Sequence, residues 1–197
     1  MAEELDLIVP IDEWVIRTTC EQHKRWRTAG VSEIVLSVNI SERYFTRPGF
    51  VKSIAKILAE TDMEPQYLQL ELTEHMLLDH ELALSVIDQL HELGVNTVLD
   101  KFGECNSSLL FIRKLPLQQL KITQSSYDED SLIMMIKTGQ ALNKEIVVVG
   151  VETEEQLALL QQQNCHVVQG YVLSQPVEAH ELHNFMESHQ RLMYNNS

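Results

Sequence analysis

Along the chain, short apolar runs alternate with longer stretches whose apolar residues recur every three to four positions. The runs are "EIVLSVNI" (33–40), "YLQLELT" (67–73), "VNTVLDKF" (95–102), "LQQLKIT" (117–123), "EIVVVGV" (145–151) and "HVVQGYV" (166–172). Their length and their β-branched residues predict strands. Between them the period is helical. In 79–94, Leu82, Val86, Leu90 and Leu93 share one face, with Asp79 placed to cap the start and Gly94 to end the helix. In "TEEQLALLQQQN", Thr153 and Gln156 stand at capping-box spacing, which predicts a helix start straight after the fifth strand. Helices also fit 11–29, about 50–61, 106–114, 131–143 and 178–193.

Strand–helix alternation repeated this often predicts parallel strands joined by right-handed crossovers. The runs read as apolar on both faces, as in a sheet covered by helices or closed into a barrel. With no linker or low-complexity tract, 1–197 reads as a single α/β domain. Ligands of such folds collect at the C-terminal ends of the strands. Asn39, Glu71 with Glu74, Asp100 with Lys101, Lys121, Glu152 and Gln169 all stand there. One polar residue at a strand end is an ordinary cap; six polar strand ends on one rim suggest a site.

Composition narrows the classes. The formal net charge is −14, which repels nucleic-acid phosphates, so DNA and RNA are not expected partners. The one basic cluster, "HKRWR" at 23–27, reads as a solvated helix end suited to the helix dipole. No apolar run approaches the roughly 20 residues of a membrane-spanning helix. The acidic N-terminus lacks a secretory pattern, so a cytoplasmic location is expected. Cys20, Cys105 and Cys165 are widely spaced and read as reduced thiols. A basic neighbour would lower the Cys105 pKa, but a catalytic thiol also needs a base that the sequence does not place. The histidines form no ligand motif, and "IMMI" at 133–136 reads as core.

"LSVNIS", "LQLELTEHMLL", "VLDKFG" with "SSLLFIRKLPLQQLKI", "VVVGVETEEQLALL" and "VVQGYVLSQPV" resemble, in order and spacing, the later motifs of the EAL domain, over about residues 2–185. That family comprises phosphodiesterases of the bacterial messenger cyclic di-GMP and inactive relatives that bind nucleotide or protein partners. The resemblance implies a TIM-barrel-like α/β fold, mostly parallel strands with outer helices. This chain matches only after the first two strands, leaving about six β/α units.

The resemblance also implies roles. Asn39, Glu71 and Asp100 match ligands for Mg²⁺ or Mn²⁺, and Lys121 matches the lysine that orients or activates the attacking water. Glu74 and Glu152 match glutamates that order the site and its loops, and Gln169 matches a site glutamine. Gln169, Glu152 and Pro176 are the expected lining of a guanine pocket. The chemistry is coherent: divalent metal lowers the pKa of bound water, and hard cations prefer oxygen donors.

Three positions depart from the family pattern. Lys101 replaces the second aspartate of the DDFG motif, Val149 a glutamate of the metal site, and Thr123 an aspartate. The family's naming glutamate–alanine–leucine motif and its phosphate-holding arginine have no counterpart. At about 4 Å and an effective dielectric near 20, a lysine repels each unit of metal charge by roughly 4 kcal/mol. Lys101 is therefore expected to act as the site's own counter-ion, paired with Asp100, Glu71 or Glu74. These departures predict a catalytically inactive module of cyclic di-GMP signalling without a cofactor. The alternatives are an active phosphodiesterase, using Mg²⁺ or Mn²⁺, whose first strands come from elsewhere, and an effector that binds cyclic di-GMP weakly without cleaving it. Open edges at the first and last strands predict a homodimer or a protein partner covering them.

Overall fold

The computed structural model describes residues 7–30, 34–105 and 107–182. Six strands form one sheet in chain order, every neighbouring pair parallel: β1 (Leu36–Asn39), β2 (Leu68–Thr73), β3 (Asn96–Asp100), β4 (Gln119–Thr123), β5 (Glu145–Val149) and β6 (Val167–Gln169). The principal helices are α1 (Ile8–Thr28), α2 (Glu42–Phe45), α3 (Phe50–Thr61), α4 (His80–Leu93), α5 (Leu109–Lys114), α6 (Glu129–Ala141) and α7 (Glu154–Gln162). Each predicted strand is present and slightly shorter than its apolar run. Both predicted caps of α4 form: the Asp79 side chain accepts from Leu82 N, and Gly94 takes the left-handed conformation at φ 89°. The Thr153–Gln156 capping box opens α7. The helix expected over 178–193 is helical at 179–182, and its remainder lies outside the described residues.

β5 is apolar on both faces, with Ile146, Val147 and Val148 all buried, but β2 and β4 are not. One face of β2 carries Leu68, Leu70 and Leu72, all fully buried, each contributing about 1.5–3 kcal/mol of burial. The other face carries Gln69, Glu71 and Thr73, and β4 repeats the alternation with Leu120 and Ile122 against Gln119, Lys121 and Thr123. The polar face is concave. Side chains of β2 and β4 meet across β3: Gln69 Nε2 donates to Gln119 Oε1 at 3.1 Å, and Lys121 Nζ to Glu71 Oε1 at 2.7 Å. The sheet thus curls into a half-barrel whose inner face carries the polar residues of β2 and β4 together with Val98 and Val147. Among the described residues, β1 pairs only with β2 and β6 only with β5, so both flanks are open edges.

The cations of the basic cluster at 23–27, Lys24, Arg25 and Arg27, are exposed at the end of α1 as expected, but His23 is not. His23 is 2% exposed and packs on Tyr67, with ring centroids 5.0 Å apart. Arg27 reaches Glu64 at 2.6 Å and Lys24 reaches Asp62 at 3.4 Å, while Trp26 Nε1 donates to the Ala179 carbonyl. These contacts fasten α1 across the entry to β2. The "IMMI" stretch divides: Ile136 is buried, but Met134 is 61% exposed on the outer face of α6.

Candidate functional site

The C-terminal rim begins with β1 and β2, where Asn39 and Glu71 are register partners. Asn39 is exposed and Glu71 buried. The Glu71 carboxylate receives Lys121 from β4, and the two side chains are only 8% and 10% exposed. A buried carboxylate needs a paired charge, and Lys121 supplies it. Asp100 ends β3, two positions beyond Val98, the register partner of Glu71. Burial and the negative charge of Glu71 push the Asp100 carboxyl above the ordinary aspartate value. Lys121, a hydrogen bond from the Lys101 backbone and the Lys101 charge oppose the shift.

Lys101 is not the expected counter-ion. Its residue is exposed, its backbone is left-handed at φ 56°, and it forms no ion pair among the described residues. Lys121 takes the part expected of Lys101 as the partner of Glu71. The turn continues through Gly103 at φ 94°, a backbone conformation that favours glycine and strains a residue bearing a Cβ.

Glu74 orders this loop. It is 3% exposed and accepts from Gly103 N at 2.6 Å and Cys105 N at 3.1 Å. Asp12, which the sequence reading passed over, does the same after β1. It is 7% exposed, and one carboxylate oxygen accepts from both the Ser41 hydroxyl and the Ser41 backbone N–H, while Ser41 caps α2. A lone acid on a helix carried no signal that it would reach a strand end. The Cys105 thiol is raised rather than lowered, by desolvation and by the Glu74 and Glu104 carboxylates. An imidazole stands beside it: His75 Nδ1 lies 3.1 Å from Cys105 Sγ.

The far rim differs. Thr123, Val149 and Gln169 are register partners across β4, β5 and β6, forming a row without a carboxylate. The replacements read from the sequence at Thr123 and Val149 therefore lie side by side. Gln169 is exposed, and its carbonyl accepts from Gly150 N at 2.8 Å and Val151 N at 3.2 Å. Glu152 is exposed with its backbone N–H held by Gln156 Oε1, and Pro176 is exposed farther along the chain. The structure thus brings Glu71, Asp100 and Lys121 together, sets Asn39 beside them, and leaves Glu152, Gln169 and Pro176 apart. Among the described residues, no group of three or more His, Cys, Asp or Glu side chains is placed to hold a metal ion.

A curled parallel sheet with buried acids at its carboxyl rim defines an α/β half-barrel. The EAL domain profile matches residues 1–176, and the chain belongs to that family. It is similar to the bifunctional diguanylate cyclase/cyclic di-GMP phosphodiesterase MucR of Pseudomonas aeruginosa, 35% identical over 191 residues, 92% of this chain and 28% of that protein. It is also similar to the oxygen sensor protein DosP of Escherichia coli, 32% identical over 197 residues, 95% of this chain and 25% of that protein. The chain spans about a quarter of the length of such curated relatives. Among solved structures, the MucR phosphodiesterase in complex with cyclic di-GMP superposes with a TM-score of 0.86 at 35% identity, over 92% of this chain and 77% of that one. The EAL domain of Mycobacterium smegmatis DcpA gives 0.85 at 32% identity, over 92% and 86%. Among the described residues, no helix is long and apolar enough to cross a membrane.

Proposed function

We propose that this EAL domain is catalytically silent and serves as a regulatory or interaction module in cytoplasmic cyclic di-GMP signalling. The observation that carries the reading is the composition of the rim. Across β4–β6 it presents Thr123, Val149 and Gln169 in one row, and across β1–β3 it keeps two carboxylates, one of them bound to Lys121. Hydrolysis of a phosphodiester at neutral pH calls for cations that activate water and offset phosphate charge. A rim of this composition gathers too few acidic donors, and Lys101 adds positive charge after Asp100.

In this reading no resident cofactor is needed. Cyclic di-GMP binds weakly or not at all, and the open edges of β1 and β6 dock a second copy or a protein partner. The direct test is incubation with cyclic di-GMP and Mg²⁺ or Mn²⁺, followed by chromatography. The expected trace contains no linear dinucleotide above the enzyme-free control, and a clear excess refutes the reading. A second reading, an active phosphodiesterase, draws on the 35% identity to MucR and the loop anchoring by Glu74. The same assay decides between them.

A further inference from the structure

Beside the loop that follows β3 lies a cavity of about 450 Å³, lined in part by Glu42, Glu74, His75, Lys101, Glu104 and Cys105. Within it Cys105 Sγ lies 3.1 Å from His75 Nδ1, and neither side chain has a part in the rim chemistry. We propose that Cys105 and His75 form a thiol modification site for small uncharged electrophiles, of which hydrogen peroxide is the simplest.

Access makes the site selective. Cys20 and Cys165 are 0% and 2% exposed, whereas Cys105 is partly exposed on the cavity wall. Reagents that reach the folded chain meet one thiol. The imidazole supplies the base that the thiol lacks by itself, within hydrogen-bond reach. Charge sets the class of reagent. Three carboxylates, Glu42, Glu74 and Glu104, face the cavity against the one ammonium of Lys101, so an anionic electrophile is repelled and a neutral one is not.

With peroxide the step is balanced. A sulfur lone pair attacks one peroxide oxygen, the S–O bond forms and the O–O bond breaks. The thiol proton passes to His75 Nδ1 and on to the departing hydroxide, which leaves as water. Sulfur is oxidised to the sulfenic acid and the peroxide is reduced. The modification also has a route into the fold. The backbone N–H of Cys105 is held by Glu74 Oε2, and Gly103 N by the other oxygen of the same carboxylate. A bulkier, more polar sulfur group beside His75 strains the first of these bonds and loosens the loop between Asp100 and Cys105.

The test uses the intact chain and two reagents of like size and leaving group, neutral iodoacetamide and anionic iodoacetate, with the labelled sites mapped by mass spectrometry. Cys105 is expected to carry nearly all the label before unfolding. Iodoacetamide should outpace iodoacetate by at least about ten-fold more than it does on free cysteine. His75→Gln should slow iodoacetamide by about ten-fold, below the usual 10²–10⁴ for a positioned base because no third group orients this imidazole among the described residues. One equivalent of peroxide should add a single oxygen at Cys105 and speed amide exchange at Gly103 and Cys105. Should His75→Gln fail to fold, Glu104→Gln, at an exposed position, provides the alternative and should narrow the gap between the reagents. Equal labelling of all three cysteines, a reagent ratio matching that of free cysteine, or a folded His75→Gln chain reacting at the wild-type rate would each overturn the proposal.

Discussion

The two halves of the rim belong to one sheet yet are built on opposite terms. Over β1–β3 three acids are buried and partnered, Asp12 with Ser41, Glu71 with Lys121 and Glu74 with two loop N–H groups, while Asn39 stays exposed. Over β5–β6 the polar groups are exposed: Gln169 and Glu152 sit in solvent, and Val149 between them offers no polar group. A buried acid binds its surroundings because leaving it unpaired is costly; an exposed amide does not. The first half therefore retains its acids as parts of the fold, with or without chemistry at the rim. The second half is free to change.

The largest expected effect breaks the comparison or establishes it. Lys121→Met removes the partner of Glu71 while keeping most of the side-chain volume, leaving a nearly buried carboxylate unpaired. The expected loss is about 3–5 kcal/mol of unfolding free energy. Gln169→Ala, on the exposed flank, should stay within about 0.5 kcal/mol of wild type. Urea unfolding of both variants measures the contrast, and similar midpoints would mean that the two halves do not differ in this way.

A smaller effect sharpens the picture inside the first half. Glu74→Gln replaces a carboxylate that accepts two backbone hydrogen bonds by an amide with one oxygen, so one loop N–H loses its partner. Hydrogen bonds to charged groups contribute about 1.5–3 kcal/mol, and the expected loss falls in that range. Hydrogen exchange should place the change locally, with Gly103 and Cys105 amides exchanging faster while β5 and β6 keep their protection. An even loss of protection over the whole sheet would show that Glu74 supports global stability rather than the loop.

Much of this architecture can be read along the chain because parallel strands in sequential order leave a local pattern. "LQLELT" and "LQQLKIT" carry their strands, and Asp79, Gly94, Thr153 and Gln156 mark helix ends by chemistry that acts within four residues. The same strands are not apolar throughout as expected, for Gln69, Glu71 and Thr73 alternate with leucines. That alternation gains meaning only once the sheet curls and gives those residues a shared interior. The pairs that matter most lie far apart in sequence: Lys121 and Glu71 by 50 residues, Cys105 and His75 by 30. Lys101 was misplaced for a different reason. Its charge suggests a counter-ion, but it stands exposed on a left-handed backbone with no ion pair among the described residues, and a lysine gives no sign of such a φ.

The smallest effect expected is a slope in stability against pH, and it arises behind the first half, where α1 packs on the start of β2. His23 is 2% exposed, its Nε2 has no hydrogen-bond partner among the described residues, and Tyr67 lies against its ring. Burial, aided by the Arg27 charge, holds its pKa below the ordinary histidine value, while a backbone hydrogen bond at Ile34 and the charge of Glu64 pull the other way. The unfolded chain therefore takes up this proton at a higher pH than the folded one. Stability from neutral His23 is fully present above the unfolded histidine pKa and declines as pH falls toward the folded one. Between pH 7 and pH 5 the wild type should lose stability more steeply than His23→Phe, which keeps an aromatic ring on Tyr67 but binds no proton. Denaturant midpoints for both proteins across that range provide the comparison. Parallel curves would show that His23 takes up its proton as readily in the folded chain as in the unfolded one, and that the packing of α1 on β2 leaves it accessible to water.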